Sequence, residues 1–492
     1  MTARFALRRI EGGLALEQLD SGAIRLVTDR TRGLEARLTG RASAEAIFLT
    51  QQAGADASVS QALAAAMAYE NAAGVLLPRN ALALRELLQS LSFVHAHLRQ
   101  FYLQALPDYL PWADLAGYRG TRPDLLRMAR SLKARPAGYW ARQSQPHPFS
   151  GPQVQRLQEN QALALEALAT LQRMMARIGG KFPVTMSIVP GGCSVALTDA
   201  LLIELREELQ RVAPVADGSA YEDAQLIARA MPRLGQVGRA GMALLCVGSL
   251  GGGQSRVQPF IPAGVWLGDR LGTYSPATTE SIARSFYEIP PERRGDGPLI
   301  RPLPDKPQAY SWIKAPRYQG QPMEVGPLAR LAVLHRSVAQ GDTADLLDDL
   351  VKTLGGPLTG ASSIAGRTLA RLAEARILVR RCDELLEQLT PGEPILVGLS
   401  GRRTVSGDGA AEVESPAGAL RHRASFSRGR IALWDIIGPS TWNGSPQDES
   451  NQPGALESAL AGAKLDLNRK EDRLTASRVV HSFAFSAVDA VQ

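Results

Sequence analysis

Cysteine is scarce in this chain of 492 residues. The three cysteines, Cys193, Cys246 and Cys382, lie far apart and form no CxxC pair. The sequence therefore predicts neither a cage of thiolates around a metal ion nor a framework of disulfides. We expect each cysteine to be a small, buried apolar residue.

Long apolar runs are also lacking. The sequence has no stretch of about 18 consecutive apolar residues, the length that a membrane-spanning helix needs. Residues 1–9 are basic, but no apolar segment follows them, so we expect no signal peptide. These absences indicate a soluble globular protein without a membrane span. We expect it in the cytoplasm, or associated with a membrane or exported only through a partner.

Lysine is the third scarce residue. Of the 55 basic residues, seven are lysines, and the rest are arginines scattered among 48 acidic residues along the whole chain. A net charge of +7 would suit nucleic acid only if the basic residues were clustered. The scatter favours an arginine-rich, solvated surface, and we expect no nucleic-acid binding.

Hydrophobic residues are plentiful, and their spacing is mostly helical. They make up 45% of the chain, which is ample for a large core. Apolar positions three to four residues apart predict helices over residues 80–106, 153–178, 198–212, 221–232, 278–288, 328–339, 343–353 and 363–389. Alternation of polar and apolar residues predicts short antiparallel strands over residues 5–40 and further strands over residues 422–437.

The C-terminal run S-F-A-F-S-A-V-D-A-V-Q covers residues 482–492. It resembles the terminal motif of the large subunit of nickel-iron hydrogenases, Ser-Phe-Asp-Pro-Cys-x-x-Cys-x-x-His, in which two thiolates hold the metals. Ser486 and Asp489 stand where the resemblance implies the two cysteines, and Gln492 stands where it implies the histidine. The sequence also ends where maturation cuts the family's large subunits, so we expect no tail to be removed.

A second run, Q-A-G-A-D-A-S-V-S-Q over residues 52–61, resembles the family's other metal-binding motif, Arg-x-Cys-Gly-x-Cys-Ser-Val-Ser-Gln. Gly54 and Ala57 occupy its two cysteine positions. Thiolates are required there because soft sulfur ligands suit low-valent nickel and iron and bridge both metals. Since neither residue offers a ligand, all four implied thiolates are missing. The chain is identified as a divergent member of the family, a pseudo-hydrogenase without a nickel-iron site.

Two further positions belong to the implied pocket. R-I-E-G over residues 9–12 is similar to the start of the family's large subunits and places Glu11 in the pocket. A buried carboxylate there is suited to relaying protons. Ala417, within E-S-P-A-G-A-L over residues 414–420, replaces an arginine that in the family lies over the metals.

Glu35 is the candidate for a magnesium ligand. R-G-L-E over residues 32–35 resembles the family's Arg-Gly-Phe-Glu, whose glutamate binds magnesium near the terminal histidine. Because Gln492 replaces that histidine, we expect Glu35 to be a surface glutamate and only a weak magnesium candidate.

The pocket leaves two interpretations open. Hard oxygen ligands from Glu11, Asp56, Ser486 and Asp489 would suit magnesium or manganese. The favoured interpretation is that these side chains are solvated or hydrogen-bonded in an empty pocket, so we predict no cofactor bound by this chain.

The most specific family match comprises Y-S-W-I-K-A-P-R-Y over residues 310–318 and E-V-G-P-L-A-R over residues 324–330. In the family these runs lie near the face that meets the small subunit. The interface residues that the resemblance implies are Lys314, Arg317, Glu324 and Arg330.

The motifs keep the family's order along nearly the whole chain. The resemblance therefore implies an α+β, predominantly helical fold, with a central bundle of long helices and small peripheral antiparallel sheets. We expect one hydrogenase large-subunit-like unit over residues 1–492. Its regions are an N-terminal β region (1–45), a helical core (46–240), an insertion with the interface motif (241–330), and helices with a C-terminal β region (331–492).

The resemblance leaves three classes of function. The first is a scaffold or assembly factor that works with hydrogenase maturation proteins. The second, which the intact interface motif favours, is a redox or electron-transfer subunit paired with an iron-sulfur small subunit, which would carry the clusters. The third is a structural or sensory partner. We expect that this chain does not oxidise hydrogen.

Overall fold

The computed structural model describes residues 3–52, 54–110, 112–134, 147–251, 259–289, 300–398 and 404–490. Gln492, the residue in the place of the family's histidine, lies outside these ranges.

Helices account for most of the regular structure. In chain order the α-helices are α1 (Leu34–Leu38), α2 (Ala46–Gln51), α3 (Ser58–Ala73), α4 (Arg79–Arg99), α5 (Pro123–Lys133), α6 (Gly151–Gly179), α7 (Asp199–Ala213), α8 (Ala220–Ala230), α9 (Pro327–His335), α10 (Asp342–Leu354), α11 (Ile364–Gln388), α12 (Pro439–Asn443), α13 (Ala455–Gly462), α14 (Lys470–Ser482) and α15 (Ala487–Ala490). The segments Gln100–Ala105 and Pro214–Ser219 form π-helical turns, and short 3-10 turns lie at Ser43–Glu45, Ala55–Ala57, Leu106–Asp108, Trp112–Gly117, Pro232–Gly235 and Leu358–Gly360.

The strands are short and form small sheets. They are β1 (Ala3–Ala6), β2 (Ala15–Gln18), β3 (Ile24–Val27), β4 (Ile188–Val189), β5 (Gly192–Cys193), β6 (Ala243–Cys246), β7 (Gly264–Leu267), β8 (Arg270–Gly272), β9 (Thr278–Ser281), β10 (Tyr287–Glu288), β11 (Arg301–Pro302), β12 (Ala315–Tyr318), β13 (Glu324–Val325), β14 (Gly407–Ser415), β15 (Gly418–Ser427) and β16 (Arg430–Ile437). The sheet orders are β1-β2-β3, β4-β5, β13-β6-β7-β8, β12-β9, β10-β11 and β14-β15-β16. Pairing is antiparallel except between β13 and β6.

The long helices form the centre of the molecule. Helix α4 packs between α6 and α11, and the leucines on its core side are buried. Local sequence sets the ends of these helices. Ser150 and Gln153 form a capping box at the start of α6, and Ser363 Oγ accepts a hydrogen bond of 3.1 Å from Gly366 N at the start of α11. The predicted α+β, predominantly helical fold with a long-helix bundle is confirmed.

One helix prediction is wrong. Residues 278–288 form β9 and β10, not a helix. Strand β9 pairs with β12, which lies more than thirty residues along the chain, and this distant partner overrides the local apolar spacing. The strands predicted over residues 5–40 end at Val27, and helix α1 follows them.

The three cysteines are buried free thiols, as expected from their spacing. Within the described ranges, we find no helix whose length and apolar character would suit a membrane span.

Candidate functional site

The six pocket positions singled out from the sequence line one cavity. Its wall contains Glu11, Gly54, Ala57, Ala417, Ser486 and Asp489, although these residues come from distant parts of the chain. Five other wall residues were not singled out from the sequence, and they contribute apolar surface, one amide and one hydroxyl group: Gln104, Pro416, Ser440, Ala484 and Phe485. Among the described residues that line the cavity there is no cysteine.

Helix ends and one tight turn bring these positions together. Gly54 and Ala57 lie just before α3. Ser486 lies just before α15, and Asp489 lies within it. Ala417 lies in the two-residue turn between β14 and β15, whose closing pair is Ser415 and Gly418. The cavity is therefore built by segments that regular structure holds firmly on both sides.

A backbone contact fixes Glu11 against the C-terminal segment. Ala487 N donates a hydrogen bond of 2.9 Å to the Glu11 carbonyl oxygen. At the next residue, Gly12 has a φ of +83°, and a Cβ there would lie 2.8 Å from Val488 N. Glycine is required at this position both for the left-handed backbone and for the close approach.

Arg99 places a positive charge beside two carboxylates of the cavity wall. Its guanidinium donates to Glu11 and, at 2.6 Å, to Asp56 Oδ2. Desolvation raises the pKa of Asp56 to about 6, while Arg99 opposes the rise and Glu11 adds to it. Because 32% of the Asp56 side chain is exposed, solvent screens part of this effect. Arg99 lies in the last turn of α4, a helix that also contains Arg85 and Glu86, so its local sequence does not mark it as part of the site.

Asp489 is the most deeply buried carboxyl group of the cavity. Ser440 N donates to its Oδ2 at 3.3 Å, and Gln61 Nε2 donates to its Oδ1 at 3.4 Å. Gln61 Oε1 in turn lies 2.7 Å from His422 Nε2, and burial lowers the pKa of His422 to about 3. Burial raises the pKa of Asp489 to about 7, because these neutral partners compensate the charge only in part.

The cavity is small and its donors are oxygen atoms. Its volume is about 30 Å³, which is room for a few ordered water molecules at most. Gly54, Ala57 and Ala417 bring no ligating side chain, while Ser486 and Asp489 bring a hydroxyl and a carboxyl group. In the part of the chain that the structure describes, no group of three or more His, Cys, Asp or Glu side chains is arranged to hold a metal ion.

Arg330 stiffens the wall of the cavity from behind. It forms a two-point ion pair with Glu374, both contacts at 2.6 Å, and a third contact of 2.7 Å with Glu414. It also donates to the carbonyl oxygens of Ser415 and Pro416, next to Ala417. Although burial acts to raise it, the Arg330 guanidinium holds the pKa of Glu374 at about 2.

The four residues predicted at a subunit interface are all buried, with Lys314 at 6% exposure and the other three below that. Arg317 pairs with Asp448 at 2.7 Å, and Glu324 pairs with Arg367 at 2.8 Å. Their side chains are occupied within the chain, so they support the surrounding surface from inside rather than present themselves to a partner. A role of this motif in subunit pairing stays a prediction.

The expectation that Glu35 lies on the surface is wrong. Glu35 is 8% exposed, and its Oε1 accepts from Lys314 Nζ at 3.0 Å and from Ile436 N at 2.8 Å. The same ammonium group lies 3.2 Å from Glu280 and 3.2 Å from Asp435. Helix α1, which the sequence analysis did not predict, turns Glu35 inward toward β16.

The sequence is similar to one protein family along most of its length. The sequence profile of the family described as nickel-dependent hydrogenase matches residues 32–126 and 136–485. The hydrogenase-1 large chain of Citrobacter freundii is 27% identical over 92% of this chain and 87% of its own length. The quinone-reactive Ni/Fe-hydrogenase large chain of Wolinella succinogenes is 26% identical over 97% of this chain and 93% of its own length.

A solved structure shows the same fold. The Ni-Fe-Se hydrogenase of D. vulgaris Hildenborough superposes with a TM-score of 0.84 over 100% of both chains, at 24% sequence identity.

Proposed function

Because the chain belongs to the nickel-dependent hydrogenase family, we propose that it is a large-subunit homologue without a nickel-iron site that works in a redox or electron-transfer complex with an iron-sulfur small subunit. The observation that carries the proposal is the convergence of Gly54, Ala57, Ser486 and Asp489 on one cavity. These are the positions that the family resemblance assigns to the four thiolates.

The residues present do not fit a nickel-iron centre. Soft, low-valent metals need sulfur ligands, and this cavity offers only oxygen donors within about 30 Å³. Arg99 already holds Glu11 and Asp56, so these carboxylates are not free for a hard metal ion either.

Glu35 does not fit a magnesium ion. The Lys314 ammonium lies among Glu35, Glu280 and Asp435, where a divalent cation would need the same oxygen atoms. We expect the free energy of unfolding to be the same in magnesium and in sodium chloride of equal ionic strength. A stabilisation specific to magnesium and reversed by chelator would contradict this.

The partner is inferred from the relatives and from the preserved motif. The matched relatives are themselves called large chains or large subunits of hydrogenases, and they align with more than nine-tenths of this chain. Internal ion pairs stabilise the structure around the interface motif, and they involve Lys314, Arg317, Glu324 and Arg330. We propose that the four sequence regions act as one unit in this assembly and that the clusters reside in the partner.

Metal analysis tests the loss of the site. The protein purified from its native host should contain no stoichiometric nickel and should show no hydrogen-dependent reduction of a dye. An active hydrogenase from the same family, purified in parallel, controls for loss of metal during handling. Nickel equimolar with the chain would overturn the proposal.

Affinity capture from the native host tests the pairing separately. The expected result is co-purification with an iron-sulfur protein, identified by its iron and acid-labile sulfide content. Recovery with hydrogenase maturation proteins and no iron-sulfur partner would favour the scaffold or assembly function instead. Recovery of the chain alone would contradict both.

A further inference from the structure

A second cavity lies far along the chain from the Glu11 site, between helices α5 and α6. Its volume is about 300 Å³, and most of its wall is apolar, including Leu115, Leu125, Met128 and Leu165. Met128 and Leu165 are 43% and 45% exposed, so the mouth of the cavity is itself apolar. A volume of this size is at the lower end of the range typical of small-molecule sites.

Two glutamines on the same helix face this cavity, and they differ in one respect. Gln161 is 9% exposed, and its Nε2 donates a hydrogen bond of 2.6 Å to the Tyr102 carbonyl oxygen. Gln158 is 5% exposed, and its Nε2 is buried without a hydrogen-bond partner among the described residues. A buried amide donor left unpaired costs free energy, on the order of 1–3 kcal/mol, which a ligand with an acceptor oxygen would recover.

The charges at the rim limit what can enter. Arg122 holds both rim carboxylates, at 2.9 Å from Asp124 and 2.6 Å from Glu166. The two carboxylates and the one guanidinium carry a net charge of −1, so an anion is repelled, while a cation must compete with Arg122 for the carboxylate oxygens. A neutral acceptor, such as a carbonyl oxygen, meets neither obstacle.

We propose that this cavity binds a small, neutral, apolar molecule that carries a carbonyl oxygen, with Gln158 Nε2 as the hydrogen-bond donor. The apolar walls bury the body of the ligand, and the amide selects the oxygen. The proposal does not depend on whether the chain binds nickel.

A matched pair of probes separates the amide from the apolar walls. Acetophenone and isopropylbenzene have nearly the same shape, but only acetophenone has a carbonyl oxygen. Titration of each probe against the full chain, followed by ligand-detected NMR, gives two dissociation constants. We expect acetophenone to bind roughly threefold to tenfold more tightly, as one net hydrogen bond predicts.

Variants then assign the preference to one residue. Gln158→Met, and independently Gln158→Leu, should remove the preference for acetophenone or reverse it in favour of isopropylbenzene, because the carbonyl oxygen then has no donor, but should not abolish binding. Gln161→Met is the matched control, and it should keep the preference because Gln161 donates to the backbone. Leu165→Trp at the mouth should weaken both probes. Circular dichroism shows that each variant is folded.

Gln158 also borders a more polar cleft of about 820 Å³ that contains His147, and this side needs its own control. His147→Ala should leave the preference for acetophenone unchanged. The proposal is overturned if His147→Ala removes the preference, if the parent binds the two probes equally or binds neither, or if both Gln158 variants retain the preference. Equal or absent binding would mean that the Gln158 amide meets water only.

Discussion

The Arg330 ion pairs and the Glu11 cavity lie on either side of the turn at Pro416, and their buried carboxyl groups have different partners. Around Arg330, each carboxylate that faces the guanidinium is paired, at 2.6 Å for Glu374 and 2.7 Å for Glu414. In the cavity on the other side of the Pro416 turn, the buried Asp489 meets neutral partners, and its pKa rises to about 7. The Arg330 region is thus held by buried ion pairs, whereas neutral hydrogen-bond donors hold the buried carboxyl group of the Glu11 cavity.

Removal of Arg330 should cause the largest loss in the free energy of unfolding. Arg330→Met leaves Glu374 and Glu414 buried without their cation, so we expect a loss of about 3–5 kcal/mol in the free energy of unfolding. Urea denaturation followed by circular dichroism measures it. Arg336→Ala, an exposed arginine near the end of the same helix, should change stability by less than about 0.5 kcal/mol. Equal losses in the two variants would refute the comparison.

Lys314→Met should also destabilise the protein, by about 2–4 kcal/mol, and the loss should depend on pH. Burial raises the pKa of Glu280 to about 7 even with Lys314 present. Without the ammonium group, the carboxylates around position 314 repel one another unless some of them are protonated, which acid favours. The stability lost in the variant relative to the parent should therefore increase from pH 5 to pH 8. Thermal unfolding across this range measures the trend, and a deficit that shrinks with rising pH would contradict it.

Asp489→Asn tests whether the carboxyl group in the Glu11 cavity has a raised pKa. The pKa of Asp489 rises from an ordinary 3.8 to about 7 on folding, so ionisation costs the folded state stability as pH increases between these values. Asparagine removes that cost. Relative to the parent, the variant should therefore gain on the order of 1–3 kcal/mol from pH 4 to pH 7, and the gain should level off at about pH 8.

The exposed Asp383→Asn is the control for this measurement, and it should track the parent at every pH. A flat difference between Asp489→Asn and the parent would show that Asp489 is ionised throughout and that the cavity resembles the paired region.

Arg99→Gln should have the smallest effect. Its guanidinium is 26% exposed, and its partners Glu11 and Asp56 are 31% and 32% exposed, so solvent can replace the lost ion pairs. We expect a loss of about 1 kcal/mol or less, which added salt reduces further. A loss as large as that of Arg330→Met would mean that both regions depend equally on their charges.

Local pattern was sufficient for the long helices and for six positions in the wall of the cavity. The predicted helix over residues 153–178 is observed at Gly151–Gly179, because its apolar face repeats over many turns. The six cavity positions were found because each one lies in a short motif with a recognisable frame around it.

Contacts between distant segments were not predictable in this way. Strand β9 owes its conformation to β12, and Glu35 is buried because Lys314 and Ile436 bind it from other parts of the chain. Arg99 and Ser440 carry no local signature of the site, since their roles depend on which carboxyl groups the fold brings to them.

The hydrogen bond from Ala487 N to the Glu11 carbonyl oxygen has a consequence for synthesis. A ribosome makes Glu11 early and Ala487 late, and closing so long a loop costs chain entropy before the contact returns any stability. The Glu11 cavity therefore takes shape only after Ala487 has been synthesised, and until then the nascent chain leaves this site open.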